Sequence, residues 1–200
     1  MSLSVDLPVR IGITADGQLT GRTRTYQKVL EDMASVYFDA DAYAISLRSR
    51  GQHTLVYEVQ EHSYSRDTGA LIVGTSTLLP GLIGDEFAVT RGHLHAIADR
   101  AELYYCLSGH GVMLLETVDG RSEPVELTAG QAVNVPGQWI HRSVNVGATP
   151  FVTMFSYAAD AGQNYSLIAE AGGMKQLVVA DGTGGWKAIP NSRHRGYVAP

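Results

Sequence analysis

His93 and His95 stand two residues apart in the run Thr90-Arg91-Gly92-His93-Leu94-His95. On a β-strand that spacing turns both imidazoles to one face. Glu102 follows a short polar bend and opens another apolar run, Ala101 to Leu107. A third imidazole, His141, comes after the glycine-flanked run Gly130 to Gly137. Three imidazole nitrogens and one carboxylate suit a borderline divalent ion, so His93, His95, Glu102 and His141 are read as ligands of one metal per subunit: Fe, Mn, Zn or Ni. Sequence does not choose among these ions.

Such ligands need a rigid frame, and the surrounding pattern supplies strands. After Gly51 short β-forming runs recur: 53–59, 70–79, 86–95, 101–107, 112–118, 123–127, 131–135, 141–146 and 151–157. Polar or glycine-containing breaks separate them, with strong turn signals at Pro80-Gly81 and Asp119-Gly120. Strands this short and regular predict an all-β sandwich or closed barrel. Residues 1–21 suit an edge strand or arm. Tyr26, Val29, Leu30 and Met33 fall at helical spacing, and Asp39 is placed to cap a second helix from Ala40 to about Arg48, ended by Gly51. Both helices are expected outside the barrel. Residues 160–172 are read as a short helix with Tyr165, Ile168 and Ala169 inward, and 176–180 as a last strand. The tail from Asp181 is expected to be loosely held.

The whole chain of 200 residues reads as a single domain: arm and helices over about 1–51, barrel over about 52–180, tail over 181–200. Hydrophobic residues make up 44%, enough for a core without disulfides, and the only cysteine, Cys106, lies in an apolar run. A formal charge of −5 gives no sign of a nucleic-acid binder or a polybasic membrane protein. Residues 1–8 lack the basic start and apolar run of a signal peptide, and no stretch approaches a membrane helix. The expectation is a cytoplasmic protein with no nucleic-acid or membrane partner.

His93, His95, Glu102 and Gly109, with Gly130, Pro136, His141 and Asn145, resemble the two cupin motifs; at Gln138 the pattern usually has glycine. The longer gap before Glu102 and the blocks 90–115 and 136–170 resemble a narrower group, the cupin-type, metal-dependent phosphoglucose isomerases. The likeness spans about Met33 to Val179. It implies a double-stranded β-helix of jelly-roll type and a homodimer. It also implies interconversion of glucose 6-phosphate and fructose 6-phosphate, a step of glycolysis and gluconeogenesis.

Carried over residue by residue, the resemblance gives His93, His95, Glu102 and His141 as metal ligands. Tyr57, Ser76, Thr90, Gly92 and Tyr157 match the positions that bind phosphate, with serine at 76 in place of threonine but the hydroxyl kept. Glu102 is the family's favoured base. Tyr104, on the same strand face as Glu102, should line the cavity beside the metal. The run Ala159-Asp160-Ala161-Gly162-Gln163-Asn164-Tyr165 has glutamine where the family usually has a histidine suited to proton transfer. Glutamine cannot titrate near neutrality, so Gln163 can only hydrogen-bond, with Tyr165, Tyr104 or water left to move protons.

Strict alternation puts Thr90 and Gly92 on the face opposite His93 and His95. For Thr90 to share their cavity the strand must slip phase near Gly92, so a bulge is predicted at Arg91-Gly92. Two other readings use the same residues. One is a cupin epimerase or oxygenase acting on another sugar or small acid. The other is a non-catalytic sugar-phosphate sensor.

Overall fold

The computed structural model describes residues 7–198, and two antiparallel sheets form its frame. One sheet runs β1 (Arg24–Val29), β2 (Leu55–His62), β3 (Leu71–Leu78), β11 (Phe151–Ala158), β6 (Glu102–Ser108), β9 (Ala132–Val135). The other runs β13 (Trp186–Pro190), β12 (Gln176–Ala180), β5 (Glu86–Val89), β10 (Trp139–Asn145), β7 (His110–Thr117), β8 (Ser122–Thr128), with β4 (Leu82–Ile83) beside β5. The sheets curl into a half-barrel, in keeping with the all-β expectation.

Alternation decides what faces inward. On β6, Glu102, Tyr104 and Cys106 are buried while Leu103 and Tyr105 face outward. Cross-strand register then lines up inner-face residues. Tyr157 pairs with Glu102, and Glu61, Gly74, Phe155 and Tyr104 form the neighbouring row. A Cβ on Gly74 would sit 2.3 Å from the Phe155 ring, so glycine there lets that ring lie across the sheet.

The helix from Ala40 is present as α1 (Ala40–Arg50): the Asp39 carboxylate accepts from the Ala42 amide at 2.8 Å, and Gly51 ends it at φ +89°. The helical spacing over 23–33 misleads. Residues 24–29 pair with β2 as edge strand β1, and only Leu30–Met33 turn helically, as a 3-10 turn. Thr25, Tyr26 and Val29 suit a strand, and the open edge of β2 offers backbone partners that an outside helix would forgo. The arm over 7–21 is held by a bridge between Ile13 and Leu19, while residues 1–6 and 199–200 lie outside the described residues.

Two further expectations need correction. The tail is docked: β13 pairs along β12, and the Tyr197 hydroxyl donates to buried Glu116. Gly182, Gly184 and Gly185 only make the turn into β13. The second helix, α2 (Ser166–Glu170), buries Leu167 and Ile168 but leaves Ala169 exposed, because it starts too late and is too short for the face predicted over 160–172.

The turn before β10 has Gln138 at φ +71°, a left-handed conformation that favours glycine. Gln138→Gly should therefore raise unfolding stability by about 0.5 kcal/mol, relief of strain being partly offset by backbone entropy, and Gln138→Val should lower it by about 1 kcal/mol or more. Urea denaturation checks both; a destabilised glycine variant would contradict the strain argument.

Candidate metal centre

His93, His95, Glu102 and His141 each offer a ligand atom, and these atoms all lie within 4.8 Å of one another. Glu102 comes from β6 and His141 from β10. His93 and His95 come from the segment after β5, where His93 bridges His141 and Leu94 bridges Asn164.

The predicted irregularity lies where Gly92 was expected to cause it. Val89 pairs with Val144, and the Thr90 amide donates to the Ser143 carbonyl at 3.0 Å. The next pairing is His93 with His141, so Arg91 and Gly92 together oppose Arg142 alone. Gly92 takes φ +71°, and a Cβ there would lie 3.0–3.1 Å from the His141 carbonyl, Arg142 and Ile168. Two residues against one is a bulge.

The long gap between His95 and Glu102 has a structural use. The bend it forms brings the Arg100 carbonyl back to His95 Nδ1 at 2.8 Å. Arg100 itself is fixed by a two-pronged contact with Asp160, at 3.0 and 2.9 Å. His141 Nδ1 likewise meets the Trp139 carbonyl at 3.0 Å. Each ring thereby keeps its Nδ1 proton and turns Nε2 inward as a lone-pair donor.

The electrostatics suit a cation. Glu102 is buried; burial would raise its pKa, but His141 and His95, with Nε2 atoms 3.0 and 3.2 Å from Oε2, hold it down at about 2. Burial and the neighbouring His141 push His93 well below the usual imidazole range, so it is neutral and able to coordinate. Burial also opposes charge on His95, but Glu102 outweighs it and raises that pKa. The Nε2 atoms of His93 and His141 are buried without an aligned hydrogen-bond partner. A buried carboxylate among imidazoles with unspent lone pairs fits a divalent cation.

The cluster opens into a cavity that is itself partly open to solvent. Its wall brings together Tyr57, Ser76, Thr90, Gly92, Glu102, Tyr104, Tyr157, Gln163 and Tyr165 with His93 and His141; His95 sits behind it. Burial and then the Glu102 charge push the Tyr104 hydroxyl up, and burial does the same for Tyr57 and Tyr157, so all three are proton donors. Thr90 Oγ1 accepts from the Ser143 amide at 3.1 Å, leaving its own proton to give. Gln163 donates to the Tyr157 hydroxyl at 3.1 Å.

Residues that the sequence reading did not assign to the site also line the cavity, among them Tyr26, Glu61, Arg91 and Arg142. Val59 and Glu61 were within reach of it, since they share the β2 face with Tyr57 at period two. Tyr26 was hidden by the helix expectation. Arg142 carried no signal, because alternation points it away from His141.

A family described as glucose-6-phosphate isomerase (GPI) matches residues 27–195. A glucose-6-phosphate isomerase of Sinorhizobium medicae is 46% identical over 179 residues, covering 90% of this chain and 83% of that protein. One of Thermococcus gammatolerans is 42% identical over 177 residues, covering 88% and 90%. Another, of Pyrococcus furiosus, is 37% identical over 177 residues, covering 88% and 91%.

Zinc or manganese should bind the chelated protein with one ion per chain, and His141→Ala should weaken that binding by about 100-fold or more, beyond the 10- to 100-fold typical of losing a residue that merely orients a ligand. Calorimetric titration measures it. Unchanged affinity in the variant would remove His141 from the ligand set.

Proposed function

The chain belongs to the glucose-6-phosphate isomerase family, and we infer on that premise that it interconverts glucose 6-phosphate and fructose 6-phosphate in the cavity just described. The observation that carries this reading is one cavity with two chemistries in its wall: a cation-ready ligand cluster, and hydroxyl donors suited to a phosphate. Tyr57, Ser76, Thr90, the Gly92 backbone and Tyr157 are the proposed phosphate contacts. Each hydroxyl among them can donate, and a phosphate dianion only accepts.

A divalent ion held by His93, His95, Glu102 and His141 would supply Lewis acidity toward the sugar oxygens. The chain's own groups do the rest. Isomerisation moves one hydrogen between neighbouring carbons and one proton between their oxygens. Glu102, held at about 2 even before a cation is counted, is a poor base for a carbon-bound proton. This favours direct transfer of hydride between the carbons, for which no base is needed. Tyr104 is placed to give a hydrogen bond to a sugar oxygen. Gln163 spends its amide on Tyr157, which leaves its carbonyl to accept from a sugar hydroxyl. The Tyr165 ring, 5.6 Å from His93, closes the metal side of the cavity.

The homodimer is proposed through the outer face of the six-stranded sheet, where Leu71, Leu103 and Tyr105 are 54%, 39% and 37% exposed. Sugar phosphates are metabolites of the cytoplasm, and we place the enzyme there; among the described residues no helix is long and apolar enough to cross a membrane.

Chelation should abolish conversion of fructose 6-phosphate in a coupled assay, and single divalent metals should restore it. No turnover under any metal would overturn the isomerase reading and leave a sensor or another cupin reaction. In deuterated water the product should carry no solvent deuterium at the reacting carbon; full labelling would restore Glu102 or another base.

Gln163→His should change kcat by less than about tenfold, whereas a rise of about 100-fold or more, the range of a general acid–base group, would identify glutamine as a handicap for this substrate. The pair Leu103→Glu and Tyr105→Glu should halve the mass seen by light scattering, and an unchanged mass would exclude that face as the interface.

A further inference from the structure

Arg142 is 5% exposed, yet it has no carboxylate partner. Among the described residues no acidic oxygen lies within 4.0 Å of it; the carboxylates that act on it from beyond that distance, Glu86 and Glu116, are already committed elsewhere. Glu86 accepts from the Phe38 amide, and Glu116 from the Lys175 and Gln176 amides at 2.8 and 2.9 Å and from the Tyr197 hydroxyl. The guanidinium of Arg142 gives one hydrogen bond, from an Nη to the Arg91 carbonyl at 2.7 Å, and its Nε has none. A buried, always-charged group with donors to spare is expensive unless something pairs with it.

The position of this charge says what that partner is. Arg142 forms part of the cavity wall together with Thr90, Gly92 and Tyr57. It is the one residue facing the two-residue bulge, and only the missing side chain of Gly92 leaves space there. The proposed phosphate contacts bring hydroxyls and backbone but no formal positive charge, and the other arginine of the wall, Arg91, is laid over the Tyr165 ring at 5.2 Å, whereas a sugar phosphate carries close to two negative charges at neutral pH. We propose that Arg142 is the cationic member of the phosphate subsite, pairing with the dianion that Tyr57, Thr90 and Gly92 orient and so selecting phosphorylated over free sugars. This rests on the reading of that end of the cavity as the phosphate end. Its bond to the Arg91 carbonyl also shapes the bulge, so the test must separate charge from shape.

Inorganic phosphate is the probe. In zinc-loaded protein carrying 15N-arginine, the Nε–H resonance of Arg142, assigned through the backbone, should shift on titration with phosphate. The shift should saturate at the concentration that half-inhibits turnover. In Arg142→Gln, KM for fructose 6-phosphate and Ki for phosphate should rise together by about 10- to 100-fold, the loss expected for a charge-assisted hydrogen bond. The change in kcat and in zinc affinity should be much smaller, and Arg142→Lys should recover most of the phosphate affinity. An Nε resonance unmoved at inhibiting phosphate would overturn the proposal, as would a phosphate Ki unchanged in Arg142→Gln. The resonance uses the parent protein, so it decides the matter even if the glutamine variant does not fold. If the parent converts neither sugar phosphate, the isomerase reading fails while the titration still judges Arg142.

Discussion

A one-residue slip in backbone pairing, between Thr90 and His93, is the constraint on which the site depends. Up to Thr90 the strand runs in step with β10; from His93 it runs one residue late. In an unbroken strand, side chains two apart share a face and neighbours oppose. The slip lets Thr90 share a cavity with the histidines that alternation would have kept from it. Glycine makes the slip feasible twice over, by accepting φ +71° and by leaving no Cβ against the His141 carbonyl. Steric and conformational requirements thus meet at one residue between the metal end and the proposed phosphate end.

Around that slip the protein buries two charges of opposite sign without pairing them to each other. Glu102 is surrounded by imidazoles, while Arg142 bonds a carbonyl and feels Tyr197, Glu86 and Glu116 without bonding any of them. A salt bridge between them would satisfy both and leave nothing for a ligand. Keeping them apart leaves Glu102 available to a cation and Arg142 available to the anion proposed above. Burial also keeps water from screening either charge, so each interaction is stronger than it would be at the surface.

Supports for the ligands come from chain segments that have no chemistry of their own. The bend over 96–100 returns a carbonyl to His95, and Asp160, sixty residues on, grips Arg100 so that the bend holds its shape. The C-terminal strand β13 extends the second sheet, and Glu116 of β7 ties the chain before and after it by taking the backbone amides of Lys175 and Gln176 and the Tyr197 hydroxyl. A ligand set is only as precise as the groups that orient it.

The sequence by itself determined whatever depends on local period and residue chemistry. Glu102 and Tyr104 share a face because strands alternate; Asp39 and Gly51 bound α1 because caps act within a turn or two; and Gly92 was legible as a bulge once the family resemblance put Thr90 in the cavity of His93, because alternation alone would keep the two on opposite faces. The four prospective ligands were legible as a set because imidazole and carboxylate at those spacings have few other uses together. Tertiary structure decided what depends on an absent neighbour. Residues 24–29 carry a helical spacing, yet the free edge of β2 makes them a strand, and with it Tyr26 joins the cavity. The glycine-rich tail looks loose until β12 offers it an edge. Arg142 is a plain strand residue in sequence, and only the fold reveals that it is buried with no counter-ion, because pairing is a property of space and not of order along the chain.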